Sequence, residues 1–355
     1  MAKYEVIDGK GIIPEWATEI EAEAFKGCKE LKSVVIPQWV RKIGESAFSG
    51  CENLESIELP EWLEEIGNYA FSSCKNIKTI LTPQWIKTIG SGVFWGCSSL
   101  SQITITSLLQ SIEAYTFDCC SALRQIIVPP TVTRIGSNAF SNCSSLADIF
   151  IPSSVQEISE DAFASCASLL EIKVDVNNTV FDSRENCNAI IHTESNTLFL
   201  GCAKTVIPQT VTKIGKGAFC ECINLKEIKI PNGIIEIEAN AFKECSILTD
   251  ITFPSSLLKI GNSSFEGCSS LKNIFIPSSV VEIEQPFIGC SSLESIKVES
   301  NNTVYDSRDN NNAIIHTGSN TLICGCQNTV IPKSITKIGK YAFINYTNVR
   351  LLKLA

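Results

Sequence analysis

His192 and His316 are the two histidines of the chain, and they occupy the same place in two near-identical stretches, KVDVNNTVFDSRENCNAIIHTESNTLFLGC and KVESNNTVYDSRDNNNAIIHTGSNTLICGC. A histidine near a carboxylate can shuttle a proton, so the pairs with chemical potential are Asp182 with His192 and Asp306 with His316. One His and one Asp are too few to define a metal or catalytic centre. The same residues read equally as a hairpin copied by duplication, with Asp182 and Arg184, or Asp306 and Arg308, pairing to hold the loop. We favour the hairpin.

Seventeen cysteines offer a second possible chemistry. Cys220-Glu-Cys222 and Cys324-Gly-Cys326 have the spacing of metal-binding CxC pairs, but they do not align with each other, and Cys222 belongs to a series described below. An odd number of thiols also fits a disulfide framework poorly. The chain holds no glycine-rich phosphate loop, no HExxH and no GxSxG. These observations predict a protein that is not an enzyme and that uses no metal and no cofactor.

The elements that position these residues are repeats. In the phrase AFxxC, Phe recurs at 25, 48, 71, 94, 117, 140 and 163, then at 219, 242, 265 and 287, and finally at 343. The interval is 23 residues, with one of 22 near Pro286 and two of 56. The twelve copies follow, with single departures, the phrase I-G-x-x-A-F-x-x-C-x-x-L-x-x-I-x-I-P, as in Ile43, Gly44, Ala47, Phe48, Cys51, Leu54, Ile57, Leu59 and Pro60. The alternation at the end of the phrase predicts a short strand, closed by a proline that cannot donate to the ladder. Gly44 suits a tight corner. One copy cannot bury its five or six apolar side chains alone, so the copies must stack as a solenoid with parallel strands in register. Eleven of the cysteines hold one ladder position (28, 51, 74, 97, 120, 143, 166, 222, 245, 268 and 290), with Tyr346 in the twelfth copy. Stacked side chains with parallel Cβ vectors cannot bridge, so the ladder reads as buried free thiols serving as small hydrophobes.

The 23-residue phrase resembles the BspA-like class of leucine-rich repeats over nearly the whole chain. The resemblance implies one right-handed superhelical solenoid over 1–355, built of short parallel β-strands with turns and short helical segments. It also implies a surface or secreted adhesin that binds a host or matrix protein, without enzymatic activity. The two long intervals are insertions, about 171–203 and 295–327, in which AIIHT and TLFL or TLIC flank ESN or GSN. Each reads as a β-hairpin, an element common in such proteins.

Two outward-facing columns are candidates for binding. The position before the last inward strand residue carries Leu81, Ile127, Phe150 and Phe275, and exposed apolar patches mark partner sites. Strand propensity alone also favours such residues. The second column is Trp16, Trp39, Trp62 and Trp85, each nine residues before its Phe, with Leu108, Thr131 and Ser154 in later copies. The next residue in each copy (Val40, Leu63, Ile86) is the inward one, so the indoles point out. They form either a self-stacking ladder that caps the first turns, or an aromatic strip ~15 Å long for sugar rings or an extended peptide.

Charge narrows the partner. With 29 Lys and Arg against 38 Asp and Glu, the net charge is −9, which disfavours nucleic acid and anionic membranes. No apolar run reaches the ~20 residues of a membrane span, and MAKYEVIDGKG lacks the apolar segment of a signal peptide. The expected partner is a protein or glycan, extracellular matrix included. The location follows the resemblance, cell surface or secreted, with a cytoplasmic location as the alternative. The alternative function is a structural spacer or intracellular scaffold for protein assembly.

Overall fold

A computed structural model describes residues 4–105 and 108–344; Tyr346 lies outside them. The chain divides into two compact units, Met1–Asp182 and Ser183–Ala355. Unit 1 carries the first seven copies of the repeat and unit 2 the last five.

Each unit is a β-solenoid with two narrow parallel ladders. In unit 1 the I-x-I-P segment gives a first ladder broken into three paired sets, Ser33–Val35 with Ser56–Glu58, Thr79–Leu81 with Gln102–Thr104, and Asp148–Ile151 with Glu171–Val174. The register is one repeat: Val34 faces Ile57, Ile80 faces Ile103 and Ile149 faces Ile172. The K-I-G segment gives a second ladder, with Ile20, Ile43 and Ile66 in line. Along both ladders the isoleucines are buried and their neighbours largely face out, because a strand alternates its side chains.

Gly44 closes the second ladder, and crowding explains it. A Cβ there would lie 2.5 Å from the Ala22 backbone nitrogen, in the turn below. The glycine of the phrase therefore lets adjacent turns touch through their backbones.

The AFxxC corner is a chain of turns. Its left-handed residues, such as Ser46 and Gly50 (φ 54° and 73°), recur two before and two after the Phe and interrupt any helix. Among the described residues, helix is limited to two three-residue 3-10 turns, Arg184–Asn186 and Arg308–Asn310, both in unit 2. The corner backbones bond between turns instead, Phe48 N–H donating to Ala70 O at 2.8 Å. Inside the corner the phenylalanines stack face to face. Phe48 and Phe71 are 5.2 Å apart at 3°, and Phe219 and Phe242 are 5.0 Å apart at 4°.

The cysteine ladder is free and largely buried, and the thiols do more than fill space. Cys51 Sγ donates to Phe25 O at 3.0 Å and Cys74 Sγ to Phe48 O at 3.2 Å, a pattern repeated by Cys245 and Cys268 in unit 2.

Unit 1 begins with an antiparallel hairpin, Val6–Ile7 and Lys10–Gly11. Tyr4, just before this hairpin, packs edge-on against Phe25 at 5.6 Å and so covers the first core ring. In unit 2 both expected hairpins are present: Ala189–His192 with Thr197–Gly201, and Ala313–His316 with Thr321–Gly325. Their second strands rejoin the repeat in parallel, Leu198 facing Ile214 and Leu322 facing Ile338.

Candidate recognition surface

The tryptophans owe their exposure to the turn that follows each strand. Pro60 O accepts from Leu63 N–H at 3.1 Å, and Pro37 O from Val40 N–H at 3.1 Å. This is a four-residue turn with Pro first and a fully buried Leu63 or Val40 last. The third corner, Trp62 or Trp39, must point outward. Trp16 is 73% exposed, and Trp39, Trp62 and Trp85 are 48%, 46% and 41% exposed. Trp62 and Trp85 stack at 5.7 Å and 13°. Trp39 is pinned differently, its indole N–H donating to Ala17 O at 2.9 Å. The column thus combines one stacked pair with two more indoles that leave large surfaces in solvent.

Four residues upstream of each Trp lies the outward strand position. There Ile12, Val35 and Leu81 are exposed, Leu81 at 71%. Leu81 faces Thr104 in register, and Phe150 faces Lys173. Ile127 is 82% exposed, in a segment just before Pro129 that joins no named strand. In unit 2 Phe275 is half exposed and faces Lys297. The sequence-predicted residues therefore fall into two groups. In unit 1, Trp16, Trp39, Trp62 and Trp85 run beside Ile12, Val35 and Leu81, while Ile127 and Phe150 continue the outward column in turns that carry Thr131 and Ser154 in place of Trp; Phe275 stands alone in unit 2.

Sequence reasoning missed a second aromatic cluster. Trp95 packs edge-on against Tyr69 at 6.5 Å, and both rings are partly exposed on the AFxxC corner. Tyr69 lies over Gly92, where a Cβ would come within 2.3 Å of its ring. The available signal was that Trp95 follows Phe94 directly, in a slot that Ser49, Ser72, Asp118 and Ser141 fill in other copies.

Charges near the Trp column are partly paired. Lys42 meets Glu65 at 2.9 Å and Lys87 meets Glu64 at 2.5 Å. The hydrogen bond from Lys87 holds the Glu64 carboxyl below the usual range, and Glu65 raises Lys42. Arg41 turns onto Gln38 O at 3.0 Å. Glu15, Glu58 and Glu61 are exposed and form no ion pair among the described residues.

The histidines serve their hairpins. His316 Nδ1 accepts from Ser319 N–H at 3.2 Å and lies 3.0 Å from Ser319 Oγ, with the same arrangement at His192 and Ser195. An accepting Nδ1 places the proton on Nε2. Asp306 is held by Arg308 in a two-pronged pair at 2.9 and 2.6 Å, so its carboxylate braces the loop. Arg184 donates to Asn196 Oδ1 at 2.9 Å, as Arg308 does to Asn320 at 3.0 Å. Among the described residues no group of three or more His, Cys, Asp or Glu is placed to hold a metal ion. Cys222 is in the core, Cys220 is half-buried, and Cys326 donates to Glu294 O at 3.2 Å. Burial pushes Cys220 up to about 11, and then Glu221 adds to it, a thiol far from the reactive range. No described helix is long and apolar enough to cross a membrane.

Stacked turns, twin ladders and an open outward surface define a leucine-rich-repeat solenoid. The description "BspA type Leucine rich repeat region" matches residues 18–146, 80–190, 192–313 and 319–355, and the chain belongs to this family. No curated protein sequence matches it. Among solved structures it is similar to a leucine-rich cell surface protein of Faecalibacterium prausnitzii, with 28% identity and a TM-score of 0.69 over 92% of this chain and 80% of that one. It shares its fold with the pneumococcal vaccine antigen PcpA (21% identity, TM-score 0.56, 80% and 68% covered). It also shares it with a leucine-rich repeat protein of Bacteroides ovatus (23%, 0.50, 82% and 90%).

Proposed function

We propose that the chain is a non-enzymatic recognition protein, acting at the cell surface or in secreted form as an adhesin-like binder of a protein or glycan, matrix glycoproteins included. The observation that carries this reading is the pair of exposed columns in unit 1, indoles beside aliphatic strand residues and, in the later turns, Ile127 and Phe150, on turns whose other faces are buried. Exposed apolar surface of this extent costs solubility and persists where a partner uses it, and Trp is enriched in the anchoring positions of interfaces. The likeness to a Faecalibacterium protein described as cell-surface supports the location.

The test is binding of the chain to immobilised matrix glycoproteins and to a glycan array, beside the variant Trp39→Ser/Trp62→Ser/Trp85→Ser. Later copies carry Ser or Thr there, so the variant is expected to fold, which its circular dichroism and urea midpoint check. Loss of binding with the fold intact supports the reading. Equal binding by both proteins moves recognition away from the Trp column, and a second variant, Ile127→Ser/Phe150→Ser, then tests the strand column.

A further inference from the structure

We propose that the Trp strip of unit 1 takes a cationic segment of a partner protein, an extended stretch rich in Arg and Lys. The inference rests on the recognition reading above and gives the partner its chemistry.

Three observations point the same way. All five tryptophans of the chain lie in unit 1. Unit 1 also holds 13 Lys and Arg against 23 Asp and Glu, a net −10, whereas unit 2 holds 16 against 15, a net +1. The charge of the protein is thus concentrated where its indoles are. The third observation is local. Glu61 is adjacent to Trp62, Glu15 is adjacent to Trp16, and Glu58 stands in the outward column between Val35 and Leu81. All three are exposed and take part in no ion pair among the described residues, while the lysines of the next ladder are engaged by Glu64 and Glu65.

An indole attracts a cation to its face, and Trp does so best among the aromatics. A guanidinium can lie flat on an exposed indole while its N–H groups meet a carboxylate, which a lysine or a neutral sugar does less well. The strip repeats the indole at the turn spacing of ~4.8 Å and the adjacent carboxylate at every second turn, since Gln38 and Gln84 stand beside Trp39 and Trp85. Successive side chains on one face of an extended peptide lie ~6.6 Å apart, twice the strand rise, so a peptide lying along the strip meets an indole or a carboxylate every one or two turns. Backbone positions are fixed beforehand: Glu61 N–H donates to Gln38 Oε1 at 3.1 Å, tying its turn to the one below. The entropic cost of ordering the site is therefore small.

The experiment uses the full chain and three probes: a Lys/Arg-rich peptide, a peptide of equal length with Glu at the basic positions, and neutral oligosaccharides. Binding is read by fluorescence anisotropy of labelled probes and by the chain's own Trp emission. The basic peptide alone is expected to bind, and raising salt from ~0.05 to ~0.5 M should weaken it about tenfold or more as the charges are screened. Glu58→Gln/Glu61→Gln should weaken it about tenfold, one pKa-unit equivalent of interaction, and Trp62→Ser/Trp85→Ser should abolish the change in Trp emission. The control Glu30→Gln/Glu157→Gln removes the same charge from unit 1 away from the strip and should leave affinity unchanged. If the control weakens binding as much as Glu58→Gln/Glu61→Gln, attraction is by net charge alone and the proposal falls. If a neutral oligosaccharide binds through the tryptophans without regard to salt or to Glu58 and Glu61, this proposal falls while the recognition reading stands. If Trp62→Ser/Trp85→Ser binds every probe as the wild type does, this proposal falls, and recognition moves from the Trp column to the strand column.

Discussion

Units 1 and 2 are alike inside and unlike outside. Phe–Phe stacks run from 5.1 Å (Phe140 and Phe163) to 5.9 Å (Phe71 and Phe94) in unit 1, and from 5.0 Å (Phe219 and Phe242) to 5.4 Å (Phe265 and Phe287) in unit 2. In both, a cysteine thiol donates to the carbonyl of the Phe one turn below, Cys97 to Phe71 and Cys245 to Phe219, each at 3.1 Å. Outside, unit 1 has five tryptophans and a net −10, and unit 2 has none and a net +1. Stacking makes the same demand of every inward position, because each turn is the floor of the next. Outward positions meet solvent, and only a partner constrains them.

The largest expected effect tests the likeness of the interiors. Phe48→Ala, Phe140→Ala and Phe242→Ala each remove a ring with no solvent exposure, so each should cost ~3–5 kcal/mol. Urea denaturation with a common m-value measures it. A near-wild-type midpoint for the unit 2 variant alone would break the equivalence of the two cores.

The glycine of the phrase comes next. Gly44→Ala in unit 1 and Gly261→Ala in unit 2 place a Cβ 2.5 Å and 2.7 Å from the Ala22 and Ala239 nitrogens. Backbone cannot give way as a side chain can, so each should cost ~1–3 kcal/mol as an overpacked site. A neutral substitution in either unit would show that its turns separate without penalty.

The cysteine ladder gives a smaller effect and a pH dependence. Phe71 O already accepts from Cys74 N–H at 3.1 Å as well as from Cys97 Sγ. Cys97→Ala therefore leaves the carbonyl satisfied, and loss of the thiol bond should cost ~0.5–1.5 kcal/mol, with Cys97→Ser costing less because its hydroxyl still donates. Burial pushes Cys97 up to about 12, as it does Cys268 in unit 2. The folded state then holds protons that the unfolded chain releases above ~8.5. Stability is full below that pH and falls as pH rises toward about 12, by ~1.4 kcal/mol per pH unit for each such thiol. Melting temperatures from pH 7 to 11 check the sign; a flat profile would mean that the thiols are reached by water in the folded state.

The core was legible because it repeats. Phe48, Cys51, Leu54 and Ile57 each recur at one spacing, and a side chain copied every 23 residues has only its own image to pack on. The second ladder was not legible, since Lys42–Ile43 is two residues long and carries no alternation of its own. The corners gave no helix because left-handed residues such as Ser46 and Tyr69 are not marked by residue type. The Trp column could be read from its spacing. Its stacked pair could not, since only the three-dimensional offset of the turns separates Trp62–Trp85 from the differently pinned Trp39. Trp95 was passed over because its partner Tyr69 lies in another slot of another copy.

The smallest effect concerns one outward position present in both units. In unit 1, Gln125 Nε2 donates to Asp148 Oδ2 at 3.3 Å across adjacent turns. The equivalent residues of unit 2 are Glu227 and Asp250, which face each other at an isolated parallel bridge. Like charges in register repel. In neither unit do these two turns pair as strands: Gln125 lies in a segment that joins no named strand, and Glu227 and Asp250 form a single bridge. An open groove of about 880 Å³, lined by Val206, Glu227, Lys229, Asp250, Thr252 and Phe253 among others, lies over this stretch. Glu227→Gln copies the unit 1 pair into unit 2. It should raise stability by ~0.2–1 kcal/mol, read as a shift of the urea midpoint, and leave amide hydrogen exchange at Ile228 and Ile251 unchanged, because the hydrogen-bonded pair of unit 1 closes no ladder either. If exchange there slows as well, the repulsion also holds the strands apart; if stability does not move, solvent already screens the pair, and the difference between the two units at this position is one of sequence alone.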